Sequence, residues 1–385
     1  MNVRQWARLV VLLPLLLAAG CLDADPIEQL DYVKALGIDY ENGKFVAYLS
    51  FPNLSRAAKN EGSADEAPAL PWIAIGRGSS LNLAVGEIYR TAPKKIVWGH
   101  TSAIVLSERL LQSDKQANIF DDLNRFRELR YTNWVFATRG SFTELFSVSP
   151  TFEQSRMYTL LHNPLDNYER YSLLPPIRMH DFMNNYQNPG SLALIPSLDV
   201  TADIWKTDSE MHEMQEIEGG FAFHDQKYSG FYSAKQLEGL RWTKPRTISG
   251  SLIIGDEKGA ADAVLTINHV DRDVSVTLNG EAPVKFKLDV KLIATLKEFH
   301  RPFKEDELTS LAEKVAEEQI RATYSAGVKG DADLLELSPY VYRRDPKLYM
   351  KLTANGEKTL LKPDSLEDIQ VHVRLEYLGK YKYVE

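Results

Sequence analysis

Val284-Lys-Phe-Lys-Leu-Asp-Val-Lys291 changes from apolar to polar at every step, the period of a strand with one face buried and one in water. Downstream, Glu305-Asp-Glu-Leu-Thr-Ser-Leu-Ala-Glu-Lys-Val-Ala-Glu-Glu-Gln-Ile-Arg-Ala-Thr-Tyr324 changes period. Leu308, Leu311, Val315 and the Gln319-Ile320 step trace one helical face, acids crowd the first turn, and Gly327 is expected just past the helix end. Alternation returns near the terminus, where Ile369, Val371, Val373, Leu375 and Tyr377 interleave with Gln370, His372, Arg374 and Glu376. A helix with one apolar face between half-buried strands must pack on their sheet. This predicts an α/β (α+β) protein of mixed, largely antiparallel sheets packed with helices.

Upstream, Thr247 onward is β-rich, with strands expected at Ser251–Ile254, Ala263–His269 and Val274–Leu278. Near the start, Tyr32–Asp39 and Phe45–Phe51 flank Glu41-Asn42-Gly43, a hairpin turn. Residues 57–71 are polar, small and turn-rich, as in a mobile surface loop. Ser79 or Ser80 caps a helix to about Arg90, and Ile96–Leu106 reads as one buried strand. Helices are expected at Asn118–Phe126, Ser141–Phe146 and Thr151–Leu161, and strands at Trp134–Thr138, Leu192–Val200 and Ile217–Phe223. Breaks gather at Pro164, Pro175-Pro176 and Asn188-Pro189-Gly190. The division expected is a leader 1–20, an α/β region 21–205 that splits into two subdomains, and a β-rich region 206–385 holding the helix 305–324, three domains in all.

The leader has a positive start, Arg4 and Arg8, then the apolar run Leu9–Leu17. That run is too short to span a bilayer, which takes about 20 apolar residues. Ala18-Ala19-Gly20 then precede Cys21, the only cysteine of 385 residues. Small residues before a thiol suit lipoprotein processing: cleavage after Gly20 and a diacylglyceryl group on Cys21. Two acyl chains give a stable tether where one gives a marginal one. Without residues 1–20 the chain carries 43 basic against 53 acidic residues. That balance argues against nucleic acid and against a broad polybasic membrane contact, so the lipid does the anchoring.

No Gly-x-Ser-x-Gly elbow, His-Glu-x-x-His or Walker A loop is present, and the eight histidines show no metal-ligand spacing. Asp271-x-Asp273 and Asp331-x-Asp333 lack the continuation of a calcium loop and read as solvated or capping acids. Ile75-Gly-Arg-Gly-Ser-Ser80 reads as a strand-to-helix turn, with anion binding at its amides as the sharper alternative. His100, in Trp98-Gly99-His100, reads as a hydrogen-bonded core residue, with a switch or ligand as the alternative. Arg125, Arg127 and Arg130 lie among Asp121, Asp122 and Glu128, as on a solvated face. No catalytic residue, metal or cofactor is assigned.

The ordered motifs resemble the Ger(x)C family, the lipoprotein C subunits of spore germinant receptors. They are Gly20-Cys21-x-Asp23, Leu36-Gly-Ile-Asp39, Ile96–Glu108, Arg127-Glu-Leu-Arg130, Phe136-Ala-Thr-Arg-Gly140, Gly219-Gly-Phe-Ala-Phe223, and Glu318–Tyr324 before Asp331-Ala-Asp333. Leu22 stands where that family commonly has Trp. The resemblance implies a three-domain ectodomain on the outer face of the spore's inner membrane, working with membrane-embedded A and B subunits. It marks Gly99, His100 and Arg130 as motif positions, and leaves open which nutrient is sensed. A large anchored ectodomain with no chemical constellation reads as a non-enzymatic subunit that acts by assembly or coupling; the alternatives are a lipid-anchored solute-binding protein and a cell-envelope hydrolase built on a carboxylate pair.

Overall fold

The structure is a computed structural model describing residues 29–53, 70–151, 155–208, 210–255, 261–278 and 283–377. The leader, Gly20, Cys21, the acidic stretch Asp23–Glu28 and residues 57–69 of the expected loop lie outside the described residues. The strands are β1 (Leu30–Tyr32), β2 (Ala35–Glu41), β3 (Lys44–Phe51), β4 (Trp72–Gly78), β5 (Lys95–Val97), β6 (Ala103–Ser107), β7 (Trp134–Thr138), β8 (Ile177–Arg178), β9 (Leu192–Lys206), β10 (Met211–His224), β11 (Lys227–Ser233), β12 (Gly250–Gly255), β13 (Ala261–Thr277), β14 (Lys285–Phe299) and β15 (Leu366–Tyr377). The helices are α1 (Leu81–Tyr89), α2 (Glu108–Gln112), α3 (Gln116–Arg125), α4 (Phe142–Ser147), α5 (Pro164–Arg170), α6 (Met179–Gln187), α7 (Glu238–Arg241), α8 (Glu305–Lys329), α9 (Ser338–Arg344) and α10 (Pro346–Leu352).

Two large sheets divide the chain. The first runs β11-β10-β9-β7-β6-β2-β3-β4, with β8 beside β7. Its central strands β2, β6, β7 and β9 are parallel, and antiparallel hairpins flank them on both sides. Buried parallel strands need cover on both faces. One face packs a core with α1, α2, α3 and α6, the other a smaller core with Phe142, Leu145 and Phe146 of α4. The second sheet runs β12-β13-β14-β15, antiparallel except for the parallel β14–β15 pair. Helix α8 lays Leu308, Ala312, Ala316 and Ile320 on its inner face, while Lys287, Lys291, His372 and Arg374 stand on the exposed one.

Local chemistry explains the elements. Asn42 (φ 51) and Gly43 (φ 75) both take the left-handed conformation that a two-residue hairpin turn demands. Ser80 caps α1 by accepting the Leu83 amide, and Gly76 and Gly78 at the end of β4 are bare because α1 lies on them. A Cβ on Gly76 would sit 2.1 Å from the Ala84 carbonyl oxygen.

Several expectations need correction. Ile96–Leu106 is not one strand: the Thr101 amide closes a turn onto the Trp98 carbonyl, separating β5 from β6 while the Trp98 ring stays buried against Phe126. The helix expected at Thr151–Leu161 is, among the described residues, only a 3-10 turn at Arg156–Tyr158. There the Arg156 guanidinium donates back to the Ser147 and Val148 carbonyls and folds the segment on itself. Pro164 opens α5 rather than only breaking structure. The two strands expected at 263–278 are one, β13, which carries Asp271 and Asp273 through on its exposed side. Helix α8 continues to Lys329, with Gly330 as its cap. Gly327 lies inside it, and a Cβ there would meet the Ala332 carbonyl oxygen at 2.5 Å. Residue 205 falls within β9, and the first sheet continues through Ser233. Among the described residues, no helix is long and apolar enough to cross a membrane.

Candidate functional site

The carboxyl ends of parallel strands are where open α/β sheets gather polar side chains, because strand amides and loop residues converge there. Here β6 ends in Ser107 and β7 in Thr138, β2 carries Asp39 just past Ile38, its last partner on β6, and β9 brings Asp199 alongside. Asp39 is buried, at 1% exposure. Its Oδ1 accepts from Ser107 Oγ at 2.5 Å and the Tyr40 amide at 2.8 Å, while its Oδ2 takes the Arg109 guanidinium. Arg109 also lies 3.6 Å from Glu41. The Ser107 hydroxyl accepts the Leu110 amide and so caps α2. Burial first, then the Asp39 and Glu41 carboxylates, raise the Tyr48 phenol above its ordinary range.

A second knot adjoins the first. Asp199 Oδ1 accepts from Thr138 Oγ1 at 2.8 Å and from the amides of Arg139 and Gly140 at 3.2 Å, and Ser197 Oγ donates to the other oxygen. One buried carboxylate thus fixes the Thr138-Arg139-Gly140 turn. It aims the Arg139 side chain at Glu218 (2.5 Å) and over the Phe231 ring, 4.1 Å from its centroid. Burial, then Glu218, Asp199 and Asp203, raise the Glu216 carboxyl. Between the two knots lie two contiguous recesses of about 360 Å³ and 270 Å³, sharing Thr138, Arg139, Gly140 and Ser141. Ser107 is bonded to Asp39, and Thr138 and Ser197 to Asp199, leaving a surface of paired charges.

A third recess, about 370 Å³, opens between the two units. Pro175, Pro176, Leu192 and Leu194 line one side; Leu240, Arg246 and the ion pair Lys244–Glu336, 2.6 Å apart, line the other.

Gly99, His100 and Arg130 lie at the opposite end of the first sheet. The Arg130 guanidinium is 3.9 Å from where a Gly99 Cβ would be, and exposed His100 meets the Tyr32 ring edge-on at 4.7 Å. His100 is therefore not a core residue. Half-buried His162 lies at this end too, its Nδ1 2.6 Å from Ser102 Oγ; burial, then Lys34 and Arg156, push its ring down to about 4. Among the described residues, no three His, Cys, Asp or Glu side chains converge closely enough to hold a metal. Asp331 takes the left-handed conformation (φ 54) in the turn after α8, and Asp333 is buried, accepting the Ser338 amide at 2.5 Å.

Asp39, Ser107, Thr138, Arg139 and Gly140 all lie within the family-like motifs, whereas Arg109, Asp199 and Glu218 lie outside them. One signal marks the acids: each of Asp39 and Asp199 ends an apolar strand run, where an unpaired charge would be costly to bury.

Other motif residues serve the scaffold. Gln319 accepts from the Trp242 indole at 2.6 Å, Thr323 takes the Gly239 amide at 2.9 Å, and Tyr324 donates to the Lys362 carbonyl. The Glu318–Tyr324 stretch of α8 thereby grips the connection between the two sheets.

Comparison with known proteins matches the chain in two regions. Residues 23–200 match the family described as "Spore germination protein N-terminal domain", and residues 218–379 match "Spore germination B3/ GerAC like, C-terminal". "Spore germination protein KC" of Bacillus subtilis (strain 168) is 20% identical over 389 residues, covering 96% of this chain and 95% of the relative. "Spore germination protein B3" of the same organism is 22% identical over 374 residues, covering 94% and 96%. A solved structure, "Crystal Structure of the GerBC protein", superposes with a TM-score of 0.53 at 17% identity, covering 92% of this chain and 100% of the other. The multidomain α/β fold is shared.

Proposed function

Because this chain belongs to the Ger(x)C family of spore germination proteins, we propose that it is a subunit of a nutrient germinant receptor. In this reading a diacylglyceryl group on Cys21 fastens it to the outer face of the spore's inner membrane. It works by assembly and coupling with membrane-embedded A and B subunits, and it is not an enzyme. The observation that carries this is the carboxyl-edge surface. Ser107 caps a helix, Asp39 holds Arg109, and Asp199 holds a turn, so the groups that would otherwise do chemistry fix a shape instead. A surface of paired charges suits recognition of a protein partner.

Deleting the gene tests the role: nutrient germination should slow, and unchanged germination with normal partner levels refutes it. Cys21→Ala tests the tether by membrane fractionation, with the variant moving to the soluble fraction.

The recess between the units favours a second reading, a lipid-anchored solute-binding protein. Bound solute would raise the melting temperature by mass action. A flat melting temperature across a nutrient panel removes that reading.

A further inference from the structure

Backbone hydrogen bonds define one level across the first sheet. Lys34 N donates to Ser50 O, Ser102 N to Lys34 O, and Trp134 N to Ser102 O. This is the amino end of the parallel strands, opposite the carboxyl-edge recess. Exposed aromatic residues collect there. Trp72 is 72% exposed and pairs with Phe51 at the start of β4; Tyr131 is 51% exposed in the loop before β7. Tyr89 ends α1, 44% exposed, and its hydroxyl accepts the Trp98 indole proton at 2.8 Å. Arg90, Arg127 and Arg130 are exposed beside them, Arg90 standing 3.8 Å from Glu87. Amphipathic rings among arginines are the composition favoured at a membrane–water interface.

The chain also enters at this end. β1 pairs in parallel with β5, and Val33 N donates to Val97 O just before β2 begins. Eight peptide steps separate Cys21 from Gln29, a reach of at most about 29 Å when fully extended. A second exposed apolar site, Ile204, Trp205 and Met211 on the β9–β10 hairpin, lies at the opposite extremity. From Trp134 to Ala137, whose partner on β9 is Ser197, and on to Lys206, the strands advance about 40 Å. A tether of that reach brings the amino end to the bilayer and is too short for the molecule to stand on the hairpin.

We infer that the amino-end face of the first sheet rests on the phospholipid headgroup layer, with Trp72, Tyr89 and Tyr131 entering it and the carboxyl-edge recess turned away from the membrane. This rests on the Cys21 tether proposed above. It fixes which surface is available to a partner: one that reaches the recess must rise from the membrane past the rim of the sheet.

The test uses the full lipidated protein in vesicles of phosphatidylglycerol and phosphatidylethanolamine that carry a nitroxide at headgroup depth. Because Cys21 is the only cysteine and is blocked by its lipid, Glu128→Cys or Asp208→Cys supplies a single free thiol for a fluorophore, on the amino-end face or at the hairpin tip. Quenching should be several-fold stronger at 128 than at 208. In the 128-labelled protein, additional Trp72→Ser and Tyr131→Ser changes should weaken it while the circular dichroism stays unchanged. Equal quenching at the two positions, or stronger quenching at 208, in protein that floats with the vesicles overturns the orientation and leaves the tether standing. Protein that fails to float refutes the tether, and the orientation with it.

Discussion

Asp39 is a buried carboxylate held by an exposed arginine. Arg109→Ala should leave it with Ser107 and the Tyr40 amide but without a countercharge, costing about 1–3 kcal/mol of stability, measured by chemical denaturation. Arg109→Lys should restore part of that loss, since an ammonium keeps the charge and loses the fork geometry. His162 gives a pH signature. Its ring titrates near 4 in the fold and near 6.5 in the unfolded chain, so between those values the unfolded chain binds more protons. Its contribution is complete above pH 6.5 and is lost as pH falls toward 4, about 3 kcal/mol in total. His162→Gln should flatten the fall in melting temperature between about pH 7 and about pH 5. Neither effect is legible in sequence. Asp39 and Arg109 lie 70 residues apart, and His162 and its partner Ser102 lie 60 apart.

Elements were legible where their cause is local. The Asn42-Gly43 turn and the Ser80 cap follow from side chains within a few residues of the backbone they satisfy. The alternation in β14 and β15 follows from one wet face. Elements were misread where a distant contact decides. Gly327 looks like a helix stop, yet it is glycine because the Ala332 carbonyl crosses α8 there. Gly239 is the sharper case: a Cβ would lie 2.3 Å from the Gln319 carbonyl oxygen, backbone that has nowhere to go. Gly239→Ala should force α7 away from α8 at a cost of about 1–3 kcal/mol, with loss of the Trp242–Gln319 bond. A red-shifted tryptophan emission with a lower denaturation midpoint would report it, and an unchanged midpoint would refute it.

For the whole molecule, the two sheets meet through a joining core of Leu173, Leu174, Leu192, Tyr232, Leu237, Leu240 and Leu334. At the same junction Tyr349 donates to Asp225 at 2.9 Å. Burial raises the Asp333 carboxyl beside this junction, outweighing the Ser338 amide it accepts. An acid whose folded affinity for a proton exceeds its unfolded one loses stability as pH rises out of the ordinary carboxylate range. Asp333→Asn should therefore melt no lower than the parent at neutral pH, with its relative advantage vanishing in acid. A fragment ending at residue 205 strips β9 of β10 and leaves a long bare edge prone to aggregation. One ending at Ser233 keeps the sheet whole and should stay monomeric in size-exclusion chromatography.

The parallel β14–β15 pair carries a consequence for biogenesis. Because α8, α9 and α10 all lie between those strands, the second sheet lacks its last member until nearly the whole polypeptide has been made. The first sheet has every strand once Ser233 has emerged. A nascent chain should accordingly acquire protease resistance in two steps, the amino-terminal half early and the carboxyl-terminal half only on release.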